Sequence, residues 1–153
     1  MIKYLLTFSL IYLSACQSTK NFSQINNAEM NSDITKNENS LMQIKAVLDD
    51  NPIESKFIQI SKAKIEGNAL ILKIGYSGGC SPHEFKCIGS SMISKSLPPI
   101  RNIRLIHSTD DTCREYIESE LVVDISDLAY QKRKGSEIKL NIEGYGQLLY
   151  SFE

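Results

Sequence analysis

Two histidines are all that this 153-residue chain possesses, so any histidine-based acid–base site must be built from His83 and His107. Neither sign of charge dominates: 17 Lys and Arg stand against 18 Asp and Glu. That balance excludes the basic footprint of a nucleic-acid binder and a polybasic membrane patch. No apolar run reaches the roughly 18–20 residues that a permanent membrane-spanning helix needs. No internal repeat is visible, and the length suits a single hydrophobic core.

What is present begins at the N-terminus. Lys3 precedes a short apolar stretch, L-L-T-F-S-L-I-Y-L over residues 5–13, which then gives way to small residues. A basic start, a short apolar run and small residues form the pattern of an export signal. Leu13-Ser14-Ala15-Cys16 resembles the bacterial lipobox, in which the cysteine is acylated and becomes the new N-terminus. The resemblance implies a signal peptide over residues 1–15, lipidation of Cys16 and a membrane partner reached through acyl chains. The alternative is an ordinary cleaved signal in which Cys16 remains a thiol. Gln17, where an Asp would favour retention at the inner membrane, implies an outer-membrane address facing the periplasm. Residues 17–41 are rich in Asn, Ser, Thr, Lys and Glu, with no sustained apolar period. They read as a flexible tether, its ends roughly 25–30 Å apart as a random coil. A β domain is expected over residues 42–153.

From Met42 onward the period is that of strands. Ile138, Leu140 and Ile142 alternate with polar neighbours; Leu70, Leu72, Ile74 and Tyr76 occupy one parity of their run, as do Ile103, Leu105 and His107. Ile117, Leu121, Val123 and Ile125 share one parity, with Glu118, Glu120 and Asp124 on the other. Over residues 57–65 the parity slips, from Ile58 and Ile60 to Ala63 and Ile65, which predicts a bulge. Glu66-Gly67-Asn68, Gly78-Gly79, Pro98-Pro99, Asp110-Asp111, Lys134-Gly135 and Gly144-Tyr145-Gly146 mark turns. Only residues 127–134 have a pattern fit for a short helix, capped by Ser126 or Asp127. The expectation is an all-β chain, an antiparallel β-sandwich or small barrel with at most one short helix. Residues 89–100, GSSMISKSLPPI, read as a long irregular loop, a place where function often resides. Tyr145, Tyr150 and Phe152 read as core or edge cover, and Lys132-Arg133-Lys134 as a solvated loop tip.

Chemistry concentrates in residues 75–87, G-Y-S-G-G-C-S-P-H-E-F-K-C. Gly75-Tyr76-Ser77-Gly78-Gly79 matches the G-x-S-x-G of a nucleophile elbow, but strand-like residues follow where a helix should. No Asp lies between Ser77 and His107 to complete a triad in the required order. With Cys16 acylated, Cys80, Cys87 and Cys113 remain, and an exported domain sits where disulfides persist. Cys87 shares strand parity with Phe85 and reads as a buried thiol. Cys80 and Cys113 lie in turns and form the favoured pair, with Cys80–Cys87 and Cys87–Cys113 as the alternatives. Cys80, His83, His107 and Cys113 also form a possible zinc or copper set. A disulfide would remove that option, since it offers no thiolate.

The pattern G-G-C-x-x-H-x-F over Gly78–Phe85, then Leu105-Ile106-His107, Asp111-Thr112-Cys113 and Asp124-Ile125-Ser126-Asp127-Leu128, resembles a family of uncharacterised bacterial exported lipoproteins. The likeness spans about residues 57–150; Cys87 stands outside it. It implies one structural unit with paired Cys/His positions and carries no activity. The expected function is a non-enzymatic, membrane-anchored envelope lipoprotein that binds a protein or another envelope component, with no cofactor. The alternative is metal handling through the Cys/His/His/Cys set.

Overall fold

The alternating residues pair into two sheets packed face to face in a computed structural model that describes residues 41–153. The expected signal peptide, Cys16 and tether lie outside the described residues. Among the described residues no helix is long and apolar enough to cross a membrane. The first strand is β1 (Met42–Lys45), continued after Ala46 by β2 (Val47–Leu48). Then come β3 (Gln59–Glu66), β4 (Ala69–Gly78), β5 (Glu84–Ser94) and β6 (Ile100–Ser108). The last strands are β7 (Glu115–Asp124), β8 (Glu137–Ile142) and β9 (Gly146–Ser151). One sheet has the order β1-β7-β4-β3 and the other β2-β5-β6-β8-β9.

The all-β sandwich is as expected, and neither sheet closes into a barrel. Its sheets are mixed rather than purely antiparallel: β1 pairs with β7, β2 with β5 and β6 with β8 in parallel. Alternation has the same period in either direction, so it is blind to strand polarity. Polarity follows instead from connections that change sheet, as when the chain leaves β6, passes through β7 in the opposite sheet and returns as β8. Ala46, fully buried, is the pivot at which one extended strand passes from the first sheet to the second. Its N–H bonds Asp124 at 2.9 Å, while the Asp49 N–H bonds Gly89 at 3.0 Å, so both ladders continue across the switch.

The inward positions are those the alternation marked. Leu70, Leu72, Ile74, Leu121, Val123, Ile138, Leu140 and Tyr150 lie between the sheets, nearly inaccessible to solvent. The register of β3 on β4 shifts between Ile60 and Lys62, which is the bulge that the parity slip predicts. Two expectations are corrected. Residues 89–100 are not a long loop: β5 runs on to Ser94, and an irregularity between Gly89 and Ile93 hides its alternation. Residues 127–134 make only a single 3-10 turn, Ser126–Leu128, because beyond the buried Leu128 they supply no apolar stripe to bury.

A strap, residues 49–57, joins β2 to β3 along the second sheet. Asp50 accepts hydrogen bonds from the Ser90 hydroxyl (2.8 Å) and the Ser91 N–H (3.0 Å), while Arg104 donates to the Ile53 carbonyl at 3.2 Å. Farther on, the Lys56 N–H bonds the His107 carbonyl at 2.9 Å, and Ser55 Oγ accepts the His107 N–H at 3.0 Å. Because β8 pairs β6 only over Ile100–Ile103, the strap occupies the stretch of β6 edge that β8 leaves open.

Candidate functional site

The chemistry-bearing residues gather at one end of the sandwich, where β4 ends, β5 begins and the β6–β7 connection passes. Gly78 and Gly79 take the chain out of β4 into Cys80, whose Cα lies 5.9 Å from that of Cys113, and the two residues form a disulfide. Asp111 organises both turns. Its Oδ2 accepts the N–H groups of Cys80 (2.7 Å) and Ser81 (2.8 Å), and its Oδ1 accepts that of Cys113 (2.8 Å). The Cys113 N–H, joined by those of Cys80 and Ser81 and by the nearby His83, draws the Asp111 carboxyl down to about 2 against the opposing effect of burial. Thr109 braces the arrangement, donating to the Pro82 carbonyl at 2.9 Å.

Inside this cap the two imidazoles form a chain. His107 Nδ1 lies 3.3 Å from the Phe57 carbonyl, and His107 Nε2 lies 2.8 Å from His83 Nδ1. A carbonyl can only accept, so His107 carries its proton on Nδ1 and offers a lone pair at Nε2. His83 must then donate from Nδ1. That leaves His83 Nε2 buried, without a hydrogen-bond partner, 3.4 Å from Asp111 Oδ2. Burial is the main cause that lowers the His107 pKa below the ordinary histidine range, with His83 adding to it and the Phe57 carbonyl opposing.

Aromatic neighbours seal the pair. Tyr76 packs against both imidazoles, at centroid distances of 4.8 Å to His83 and 5.1 Å to His107, and Phe85 stacks on His107 at 5.0 Å. His107 is 1% exposed and the His83 side chain 9%, so a substrate cannot reach either ring without rearrangement. A cleft of about 400 Å³ lies next to this end, lined by Ile53, Phe57, Ile58, Ile60, Arg104 and Leu105 among others. Phe57, whose carbonyl anchors His107, exposes its own ring on that cleft.

Each residue singled out in the sequence now has a place. Gly75–Gly78 belong to β4, and no helix follows, so Ser77 is not on a nucleophile elbow. The glycines serve close packing: a Cβ on Gly78 would strike the His83 ring, and one on Gly75 the Tyr116 ring. Cys87 is a free, buried thiol, pushed up to about 12 by burial. Cys80, His83, His107 and Cys113 do come to the same end, but not as four ligands around one point. The sulfurs are bonded to each other, and His107 turns both ring nitrogens to other partners. Asp111 is the residue the ligand count missed. Its signal was an Asp two residues before Cys113, where a carboxylate closes an Asx turn.

No family model and no curated protein matches this chain in sequence. Solved structures similar to it include a NigD-like immunity protein from Bacteroides caccae: 13% identity, TM-score 0.49, covering 72% of this chain and 58% of that one. A protein of unknown function from Bacteroides vulgatus gives 16%, 0.44, 74% and 56%, respectively. A protein described as toxin-related from Parabacteroides distasonis gives 11%, 0.48, 73% and 60%. The likeness therefore spans less than two thirds of each of those chains.

Proposed function

We propose that this chain is a lipid-anchored envelope protein, acylated at Cys16, that works by binding an envelope component rather than by catalysis. The observation that carries this reading is the state of its reactive side chains. Both histidines are buried against each other, and the exposed-end cysteines are tied in a disulfide. A histidine serves as general acid or base only where it can reach a substrate proton, and these two are occupied inside the cap. The disulfide fits an oxidising compartment, in agreement with the lipobox-like Leu13–Cys16 and a periplasm-facing outer-membrane address. Constitutive metal handling through Cys80, His83, His107 and Cys113 fits less well, because the bonded sulfurs supply no thiolate.

The test is expression with export in a bacterial host, followed by fractionation and mass spectrometry of the N-terminal peptide. A diacyl or triacyl adduct on Cys16 is expected, with the protein moving to the soluble fraction in Cys16→Ala. An unmodified Cys16 in a soluble protein would overturn the anchor. A hydrolytic or transfer activity abolished by His107→Gln, with folding intact, would overturn the non-catalytic reading.

A further inference from the structure

The orphaned His83 Nε2 marks an incomplete site. It is buried, its ring is fixed by the bond to His107, and it aims at a carboxylate oxygen 3.4 Å away. With Nδ1 committed as a donor, the neutral ring presents a lone pair to an anion. Only a positive centre between the two satisfies both, either a proton or a metal cation. One ligand atom each from Cys80, Asp111 and Cys113 lie within 4.8 Å of one another, and it is the Asp111 carboxylate of this group that His83 Nε2 approaches. In a tetrahedral zinc site with bonds of about 2.0–2.3 Å, ligand atoms are roughly 3.3–3.8 Å apart. Opening the disulfide therefore leaves sulfurs and carboxylate within a small adjustment of that geometry.

We propose that reduction of the Cys80–Cys113 disulfide creates a zinc site with Cys80 Sγ, Cys113 Sγ, Asp111 Oδ2 and His83 Nε2 as ligands, His107 acting as the positioning residue for His83. An external dithiol supplies two electrons and two protons. The Sγ–Sγ bond breaks, two thiols form, and the dithiol leaves as its own disulfide. On metal binding the two thiol protons pass to solvent and two metal–sulfur bonds form. Cys80 is exposed, so the incoming thiolate has a sulfur to attack. The outer shell is already in place. A metal-bound histidine ordinarily donates its second N–H to a fixed acceptor; here His83 Nδ1 donates to His107 Nε2, and His107 in turn to the Phe57 carbonyl. The zinc set thus differs from the one read in the sequence, with Asp111 in the place of His107. The inference needs only this geometry and does not rest on the envelope-binding reading.

The experiment is a cobalt and zinc titration of the full exported protein, once oxidised and once reduced by a phosphine under anaerobic conditions. Near-ultraviolet circular dichroism follows the fold throughout. The reduced protein is expected to take up one cobalt ion, with thiolate-to-cobalt charge transfer and tetrahedral ligand-field bands, and zinc should displace it. The oxidised protein should show neither. Asp111→Asn and His83→Gln should each weaken zinc binding at least tenfold. His107→Gln should weaken it roughly 10–100-fold with the charge-transfer band retained, as expected when a supporting partner is lost. Cys87→Ala should leave binding unchanged. Failure of the reduced protein to bind cobalt, or equal binding by wild type, Asp111→Asn and His83→Gln, would overturn the proposal. A reduced protein that loses its near-ultraviolet signal and regains it with zinc supports it. One that stays unfolded with metal on loose thiols overturns it.

Discussion

At the scale of single residues, this protein spends its reactive groups on one another. The lone pairs and protons of His107 go to Phe57 and His83, the Asp111 carboxylate goes to backbone amides, and the cysteines at the cap go to a disulfide. Such an arrangement tolerates little added volume. A methyl group on Gly78 would overlap the His83 ring and come within 3.2 Å of Asp111 Oδ2. Because the ring is held by His107, it cannot simply swing away. Gly78→Ala is expected to cost about 1–3 kcal/mol, the usual penalty for overfilling a packed site, measured by urea denaturation. A change below about 0.5 kcal/mol, the range of ordinary surface substitutions, would show that the ring is not pinned. The sequence signalled two histidines near a cysteine-bearing turn. It could not show their mutual bond, since they lie 24 residues apart, His83 just before β5 and His107 within β6.

At the scale of elements, side chains in turns join pieces that backbone pairing leaves separate. Asn68, in the β3–β4 turn, accepts the Tyr150 hydroxyl at 2.7 Å and the Glu153 N–H at 3.1 Å, and donates to the Glu153 carbonyl at 2.9 Å. One side chain thereby ties a hairpin of the first sheet to the last strand of the second. Tyr150 is fully buried, and burial is the leading cause that raises its hydroxyl to about 12. Asn68→Ala strands that hydroxyl, and an unsatisfied buried donor costs about 1–3 kcal/mol. Tyr150→Phe should be milder, because it removes the donor as well. Chemical denaturation of both variants checks the order. The strap has its own anchor in Asp50, whose pKa is lowered chiefly by hydrogen bonds from Ser91 and then from Ser90. A carboxyl lowered in the folded state contributes stability that is present above its unfolded pKa of about 3.9 and is lost as pH falls through the folded value. Hydrogen exchange over residues 49–57 should therefore accelerate, relative to the core strands, below about pH 4. Asp50→Asn should show that loosened behaviour already at neutral pH. Protection unchanged in both cases would show that the strap is held by its contacts with β6 alone.

At the scale of the whole molecule, the disulfide joins cysteines 33 positions apart and closes a loop that contains β5 and β6. Chain-entropy reasoning puts its contribution at roughly 3–4 kcal/mol, a large fraction of the 5–15 kcal/mol typical of a domain. Cys80→Ser/Cys113→Ser should lower Tm by more than about 10 °C in calorimetry, at a few degrees per kcal/mol for a domain of this size. A drop of only a few degrees would mean that the Asp111 network holds the cap without the bond. This scale also accounts for what was hard to read. The inward residues of β8 were legible because that strand has one wet face, so polarity alternates strictly. Those of β4, β6 and β7 were legible because large apolar residues recur on one parity, even where an outer residue such as Ile71, Ile106 or Val122 is also apolar. In residues 89–94 the irregular pairing broke the alternation, and a strand passed for a loop.

The sequence by itself determined the period of the strands, the bulge, the turn positions and the membership of the core, because these depend on neighbours a few residues apart. It also left Cys80 and Cys113 as the favoured pair, by placing Cys87 on a buried face. Strand direction, the switch of sheets at Ala46, the strap along β6 and the alignment of His107, His83 and Asp111 were decided only in the tertiary structure. Those features depend on which distant segments meet and with what orientation, and a local alternation of polar and apolar residues carries no information about either.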